Sequence, residues 1–278
     1  MKANEPSRMA LMVARQRAAH QLIDGGAILE DRFAVKILGE AESGLREFAN
    51  GQPMASIGRL FTAARSRIAE DALARAVERG VRQVVILGAG LDTFALRNPH
   101  SARIRIFEVD HPATQAWKRQ RLAEADLAAP SWLTFVPMDF EREELQEKLN
   151  GAGLERGSPA FFTWLGVVPY LTQEAIGGTL EYMASVESAE VVFDYMEPPQ
   201  AFSEETRELA TKQGEELKKM GERWASRFEP AGMAMLLRGH GFGEIEDMSF
   251  QEIAARFGRG VEGLARGEIG VRVVRAKR

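Results

Sequence analysis

The residues whose types and spacing suggest chemistry begin with a glycine-containing loop. Val84-Val85-Ile86-Leu87 is typical of a buried strand, and Gly88-Ala89-Gly90 follows it directly. Glycines allow a tight turn and a close approach of the backbone to a ligand. Asp110, preceded by Glu108, stands at the end of the next apolar run, about 20 residues beyond Gly90. Because a carboxylate there can accept both hydroxyl protons of a ribose, the combination predicts a nucleoside-type ligand.

The same loop indicates which nucleoside. In dinucleotide-binding folds a third glycine, three residues after the second, lets the pyrophosphate sit at the N-terminus of a helix. Thr93 occupies that position here. The loop therefore favours a ligand without a pyrophosphate, and S-adenosylmethionine, with its adenine, ribose and short amino-acid tail, fits. A nicotinamide dinucleotide such as NAD is the alternative.

The elements that position this loop follow an α/β pattern. Short apolar runs bounded by turn residues alternate with helical stretches, as in a parallel sheet covered on both faces. Right-handed crossovers would place the carboxyl ends of the strands along one edge, where such folds bind ligands. The predicted strands are residues 81–87, 103–109, 132–137, 160–165 and 190–195.

Helical segments flank the alternating region. Residues 9–80 are predicted to be helical, with turns at 24–26 and 51–53. Residues 205–228, after Pro198-Pro199, are predicted to form a charged helix with one apolar face, interpreted as a lid insertion at about 198–230 or as a surface helix packed on the sheet. A helix at 231–238 and a hairpin pair of strands at 242–250 and 270–276 close the chain.

Composition and charge exclude several classes of function. The 278 residues are 45% apolar and 27% charged, and 36 basic against 40 acidic side chains give a net charge of −4, which argues against a nucleic-acid partner. The chain has no cysteine. The longest apolar stretch, residues 161–171, is shorter than the roughly 20 residues that span a bilayer, and residues 1–8 lack the apolar core of a signal peptide. We therefore expect a cytoplasmic protein without a membrane partner.

Two motifs carry a resemblance to a known family. Gly88-Ala89-Gly90-Leu91-Asp92-Thr93 and Phe107-Glu108-Val109-Asp110-His111-Pro112 together resemble the leucine carboxyl methyltransferase-like family of class I S-adenosylmethionine-dependent methyltransferases, in its bacterial O-methyltransferase branch of secondary metabolism. Further matching segments occur in the same order at residues 11–14, 17–19, 64–67, 138–140, 164–167, 169–171 and 239–242.

The resemblance implies a fold and a domain organisation. It implies a Rossmann-like α/β fold with a seven-stranded, mostly parallel sheet, an antiparallel last strand and helices on both faces. Residues 1–80 would form part of a helical lid together with the insertion at about 198–230. Residues 81–278 would form the core that binds S-adenosylmethionine, whose product is S-adenosylhomocysteine.

The resemblance also implies cofactor-binding roles. Gly88, Ala89 and Gly90 would pass under the amino-acid tail of the cofactor, and Arg65 would pair with the tail's carboxylate. Asp110 would hold the ribose hydroxyls. Asp139 would accept a hydrogen bond from the adenine amino group, with Phe140 beside it.

Some of these roles have alternatives. Arg17 is a further cofactor-binding candidate on weaker grounds. Arg65 could instead be a solvated residue on the polar side of its helix, and Asp139 could be the N-cap of a helix beginning near residue 141. The sequence also departs from the family at Leu165, where members often carry a glutamate close to the amino end of the cofactor.

The acceptor is the least defined part of the site, and no catalytic residue is assigned. We expect an O-methyltransferase that acts on a small-molecule carboxylate, which needs no base, or on a hydroxyl. His111 is expected to order its turn, and Arg17 or Arg97 could anchor an acceptor carboxylate. Tyr170 and Tyr195 could contact substrate or belong to the core.

Other classes of function stay open. No pair of metal-ligating residues has suitable spacing on one helix or strand, so no metal site is predicted. A nicotinamide-dependent oxidoreductase would need the third glycine and a catalytic pair that the sequence does not show. A non-catalytic scaffold that retains the cofactor fold is the alternative of a different class.

Overall fold

The computed structural model describes residues 7–51, 55–140, 142–199, 208, 211, 214–215, 224–257 and 270–278.

The N-terminal part of the chain is helical. The first helix begins because the Ser7 side chain accepts a hydrogen bond from the Ala10 N–H, and it ends at Gly25 in the left-handed conformation. The helices that precede the sheet are α1 (Arg8–Asp24), α2 (Ala34–Leu38), α3 (Glu42–Asn50) and α4 (Ala55–Glu78). They confirm the helices predicted over 9–80 and the turn at 24–26.

Seven strands form one mixed sheet in the order β3-β2-β1-β4-β5-β7-β6. All neighbouring pairs from β3 to β5 are parallel, and β7 is antiparallel to both β5 and β6. The predicted fold is therefore confirmed, and the five strands predicted before residue 200 differ from the observed ones by at most two residues at either end. The strands are β1 (Gln83–Leu87), β2 (Arg105–Asp110), β3 (Leu133–Pro137), β4 (Ala160–Trp164), β5 (Glu190–Met196), β6 (Glu244–Ser249) and β7 (Val271–Lys277).

Helices cover both faces of this sheet. Along β1, Val84 and Ile86 pack into the cluster that contains the apolar side of α4, while Val85 and Leu87 pack into the cluster on the opposite face. This alternation is why β1 is apolar at four consecutive positions after Gln83. The remaining helices up to β5 are α5 (Phe94–Arg97), α6 (Pro112–Glu124), α7 (Leu145–Gly151) and α8 (Gln173–Ala184), with short 3-10 turns at Ser101–Arg103 and Val168–Tyr170.

The C-terminal region departs from the predicted hairpin in one respect. The helix Pro230–Gly239 and the antiparallel pairing of β6 with β7 agree with expectation. However, a further helix, Phe250–Arg256, follows β6, so Phe250 does not belong to a strand. It starts with a capping box in which Ser249 and Glu252 exchange hydrogen bonds, which explains why the chain leaves the strand at this residue.

The predicted lid helix at 205–228 lies mostly outside the described residues. Its last part is described and is not helical: residues 224–229 are irregular. There the N–H groups of Ala225 and Ser226 donate to the Pro169 carbonyl, and the Phe228 N–H donates to the Met196 carbonyl. These contacts with the 3-10 turn Val168–Tyr170 and with the end of β5 replace helical hydrogen bonds, so the prediction of a helix up to Phe228 is wrong. No helix in the described ranges combines the length and apolar character needed to cross a bilayer.

Candidate active site

A cavity of about 880 Å³ opens at the carboxyl ends of the parallel strands. This volume lies in the upper part of the range of about 300–1,000 Å³ that small-molecule sites occupy. Its floor is the loop after β1, and its walls come from α1, α4 and the segments that follow β2, β3 and β4. Of the predicted cofactor-binding residues, the cavity is lined by Arg17, Arg65, Gly88, Ala89, Gly90, Asp110, Asp139 and Phe140.

The glycine loop is tied to the neighbouring strand. The N–H groups of Gly88 and Ala89 both donate to the Val109 carbonyl on β2. Gly88 has φ +65°, and a Cβ there would lie 2.3 Å from Cγ2 of Val167. Only glycine therefore fits this position, both because of its backbone conformation and because the turn after β4 lies so close.

Asp110 closes the loop from the end of β2. One carboxylate oxygen accepts the Gly90 N–H at 2.5 Å, and the other accepts the His111 N–H at 2.6 Å. A carboxylate has about four lone-pair sites, so two acceptor positions are left for a ligand. Burial raises the pKa of Asp110, while the N–H groups of Gly90 and His111 act in the opposite direction.

Arg65 reaches the cavity from α4 and is buried, at 8% exposure, so the alternative of a solvated side chain is wrong. Its Nη1 donates to Oδ2 of Asp194 on β5 at 2.8 Å. The other oxygen of Asp194 accepts the Gly166 N–H at 2.6 Å. Asp194 was not predicted, although a single acid among the otherwise apolar residues 191–196 of β5 was a signal that it has a specific partner.

Arg17 connects α1 to the glycine loop. Its guanidinium donates to the Leu91 carbonyl and, at 3.2 Å, to Asp92. Its Nε lies 3.6 Å from Asp31, which also accepts a hydrogen bond from the Thr93 hydroxyl. Arg17 thus lines the cavity while its charge is balanced by two carboxylates of the protein.

Asp139 and Phe140 line the cavity after β3. The Asp139 carbonyl accepts the N–H groups of Arg142 and Glu143, and its own N–H donates to the Glu143 carboxylate. The following helix, α7, begins only at Leu145 with Glu144 as its N-cap. Asp139 is therefore not the N-cap of a helix near residue 141.

Three of the acceptor-site candidates are engaged elsewhere. Nδ1 of His111 accepts the Ala113 N–H at the start of α6, so the imidazole orders the turn as expected. Arg97 does not line the cavity, because its guanidinium pairs with Glu70 at 2.5 and 2.6 Å, and its interpretation as a substrate anchor is wrong. Tyr195 is a core residue whose hydroxyl donates to Asp247, and burial raises the pKa of its phenol.

Tyr170, in contrast, lines the cavity. The rest of the wall on this side is apolar and is formed by Met9, Val13, Leu165, Val167 and Leu171. Arg8 also lines the cavity and makes no ion pair with any carboxylate in the part of the chain that the structure describes. Within the same part, no three metal-ligating side chains come together.

A buried ion pair supports the strand that ends in Asp110. Nζ of Lys118 on α6 lies 2.5 Å from the Glu108 carboxylate on β2, and both side chains are at most 2% exposed. Burial raises the pKa of Glu108, while Lys118 lowers it. The pair therefore holds α6 against β2, the strand whose last residue, Asp110, lines the cavity.

Sequence comparisons agree with this geometry. Residues 10–184 match the family model described as leucine carboxyl methyltransferase. YktD of Bacillus subtilis, whose name assigns it S-adenosyl-L-methionine-dependent methyltransferase activity, is 34% identical over 221 residues, covering 70% of this chain and 72% of that protein. A Mycolicibacterium smegmatis protein with the same assignment is 30% identical over 227 residues, covering 81% of this chain and 64% of that protein.

Solved structures share the fold at low sequence identity. A DUF574 family protein from Streptomyces avermitilis has a TM-score of 0.54 and 15% identity, covering 95% of this chain and 96% of that chain. Magnesium protoporphyrin IX methyltransferase from Synechocystis, solved with bound S-adenosylhomocysteine, has a TM-score of 0.50 and 13% identity, covering 96% and 99%. Because the sequence identities are this low, the similarity to these two structures shows a shared fold only.

Proposed function

Because the chain belongs to the leucine carboxyl methyltransferase family and is an S-adenosylmethionine-dependent methyltransferase, we propose that it methylates an oxygen atom of a small-molecule acceptor. The observation that carries the proposal is that Asp110, Arg65 and a wall of apolar side chains all line the same cavity. Residues 1–80 would form part of a lid over a core formed by residues 81–278, since α1 supplies one wall of this cavity. A role in secondary metabolism is part of the same proposal.

The donor and acceptor groups present suit S-adenosylmethionine. The free lone pairs of Asp110 would accept the ribose hydroxyls, and Arg65 would pair with the carboxylate of the amino-acid tail. Gly88, Ala89 and Gly90 would lie under that tail. Asp139 would accept from the adenine amino group, with Phe140 against the ring.

The chain's own contribution to the reaction is alignment and exclusion of water. S-adenosylmethionine supplies a methyl group that is already activated by the sulfonium, so the protein mainly orients the donor and acceptor. The apolar side chains of Met9 and Val13 on α1 face the same cavity as Leu165 and Leu171 after β4. They would surround an apolar acceptor and keep water from the reacting atoms.

Among oxygen acceptors, the site favours a carboxylate over a hydroxyl. A carboxylate is ionised at neutral pH and needs no general base, whereas a hydroxyl would benefit from one. The single imidazole that lines the described cavity, His111, is held at the start of α6. Arg8 would attract an anionic acceptor, since its charge is not balanced by a carboxylate of the described chain.

The alternatives predict different behaviour. A dinucleotide-binding site needs a helix whose N-terminus faces the pyrophosphate. Here the helix after the loop, α5, is only four residues long, and the hydroxyl of Thr93 donates to Asp31. A non-catalytic scaffold would bind the cofactor and methylate nothing.

The proposal is tested by methyl transfer to matched acceptors. The protein is incubated with S-adenosylmethionine labelled in its methyl group and with apolar aliphatic or aromatic carboxylic acids, each paired with its alcohol, amine and thiol. We expect label in an alkali-labile ester of the acids. Transfer to the amines or thiols alone would contradict the proposed oxygen acceptor, and transfer to no member would favour the scaffold.

A further inference from the structure

Asp194 joins two parts of the site without lining the cavity. It lies in β5 between Phe193 and Tyr195, both of which are buried apolar-core residues. Its side chain is 6% exposed. One oxygen accepts from Nη1 of Arg65, and the other accepts the backbone N–H of Gly166, so a single carboxylate fixes both α4 and the turn after β4.

These contacts determine how the Arg65 guanidinium is held. Asp194 is the one side chain in the described ranges that accepts a hydrogen bond from Arg65. The ring of Phe61 lies 5.7 Å from the guanidinium carbon. A Cβ at Gly166 would lie 2.8 Å from Nη2, so the turn closes around the guanidinium and needs glycine there. Because a guanidinium has five N–H donors, donors remain for a ligand in the cavity.

The position of Asp194 in the sheet explains how it reaches this turn. Trp164 on β4 is in register with Phe193 on β5, and continuing the register by one residue places Leu165 beside Asp194. Leu165 is apolar, so the carboxylate at this corner of the site comes from the adjacent strand. The same turn continues to Val167, whose side chain occupies the space that a Cβ at Gly88 of the glycine loop would need.

We infer that Asp194 is a positioning residue for the amino-acid tail of the cofactor, which acts by orienting the Arg65 guanidinium and the Gly166 turn. The inference rests on the proposed role of Arg65 as the partner of the tail's carboxylate. It assigns Asp194 no contact with the adenosine part of the ligand. Loss of the Asp194 charge should therefore affect ligands that carry the tail and spare ligands that lack it.

Two probes separate the tail from the rest of the ligand. S-adenosylhomocysteine carries the amino-acid tail, whereas 5′-methylthioadenosine has the same adenosine and sulfur without it. Both are titrated calorimetrically into the unmodified protein and into Asp194→Asn, which keeps an oxygen acceptor for Gly166 but removes the charge. We expect S-adenosylhomocysteine to bind about tenfold more weakly or worse, as for a lost hydrogen bond between charged groups, and 5′-methylthioadenosine to bind unchanged.

Asp247→Asn is the matched control. Asp247 also pairs with an arginine, Arg272, at 2.9 Å, but it lies on β6 and does not line the cavity. This variant should leave both dissociation constants unchanged. If Asp194→Asn unfolds, Asp194→Glu provides the second test, since it keeps the charge but moves the carboxylate by one methylene group, which should displace the Arg65 guanidinium and give the same selective loss.

Three outcomes would overturn the inference. The first is that Asp194→Asn binds both ligands more weakly to the same degree, which would indicate a purely structural role. The second is that neither affinity changes, and the third is that only the affinity for 5′-methylthioadenosine falls. Failure of the unmodified protein to bind S-adenosylhomocysteine would be a separate result, because it would overturn the proposed cofactor site itself. A failure of the acceptor experiment would leave the positioning of the tail unaffected.

Discussion

The backbone N–H of Gly90 donates a 2.5 Å hydrogen bond to Oδ2 of Asp110, which joins the loop after β1 to the end of β2. The contact fixes the carboxylate at the floor of the cavity while leaving lone pairs for a ligand. It also makes the shape of the glycine loop depend on the ionised carboxylate. Asp110 is therefore the residue on which the proposed ribose site most directly depends.

Replacing Asp110 by alanine should weaken the binding of S-adenosylhomocysteine. The loss should be about 1.5–3 kcal/mol, the range for hydrogen bonds to charged groups. Isothermal titration calorimetry measures it. Asp71→Ala is the control, since Asp71 pairs with Arg67 and Arg256 and does not line the cavity. An unchanged dissociation constant for Asp110→Ala would remove Asp110 from the site.

The affinity for S-adenosylhomocysteine should rise with pH through the pKa of Asp110. Burial raises this pKa above the ordinary value of 3.8, and only the ionised carboxylate can accept from both ribose hydroxyls. Acidification should therefore weaken binding at a higher pH than an exposed aspartate would require. The affinity for S-adenosylhomocysteine is measured across this pH range for the unmodified protein and for Asp110→Asn, and the ratio of the two affinities isolates the ionisation of Asp110. A ratio that does not change with pH would contradict the prediction.

Arg65 and Arg67 provide a matched pair on one helix. Arg65 is buried in the cavity wall, whereas the side chain of Arg67 is 49% exposed and pairs with Asp71 on the next turn of α4. Arg65→Ala should weaken S-adenosylhomocysteine binding by about tenfold or more, because it removes a charge-assisted partner of the tail. Arg67→Ala should not. Equal affinities for the two variants would exclude Arg65 from the cofactor site.

Breaking the buried ion pair between Lys118 and Glu108 by a single substitution should strongly destabilise the protein. Lys118→Met leaves the Glu108 carboxylate buried without its partner, which should lower the free energy of unfolding by about 3–5 kcal/mol at neutral pH. Urea denaturation measures the change. Lys277→Met, which breaks an exposed pair with Glu244, should have little effect.

The same variant should show a characteristic pH dependence. Burial already raises the pKa of Glu108, and loss of Lys118 raises it further. A raised carboxyl pKa in the folded state destabilises the protein fully above that pKa and progressively less as the pH falls through it. The stability difference between the unmodified protein and Lys118→Met should therefore shrink on acidification, and a constant difference would show that Glu108 is not the cause.

The sequence predicted the local parts of the site. The strand, the glycine loop and Asp110 are neighbours along the chain or at a fixed spacing across one β-α-β unit, so their pattern carries the geometry. The same holds for His111, whose place before Pro112 at the start of α6 predicted an ordering role. Strand positions were predictable because β1 and its neighbours are buried on both faces and are mostly apolar.

The parts that escaped prediction depend on contacts between distant residues. Asp194 lies 129 residues from Arg65, and Arg97 was interpreted as a substrate anchor because its partner Glu70 on α4 was not evident. Trp224 and Phe228 have helical spacing, yet the backbone of that segment donates hydrogen bonds to the 3-10 turn after β4 and to the end of β5 instead. The helix after β6 was detectable, since Ser249 and Glu252 have the spacing of a capping box.

The most direct test of the central claim is calorimetric titration of the unmodified protein with S-adenosylhomocysteine, with NAD in parallel. The cavity that contains Asp110, Arg65 and the glycine loop predicts saturable binding of S-adenosylhomocysteine at one site and no heat from NAD. Binding of NAD alone, or of neither ligand, would contradict the assignment of this cavity to S-adenosylmethionine.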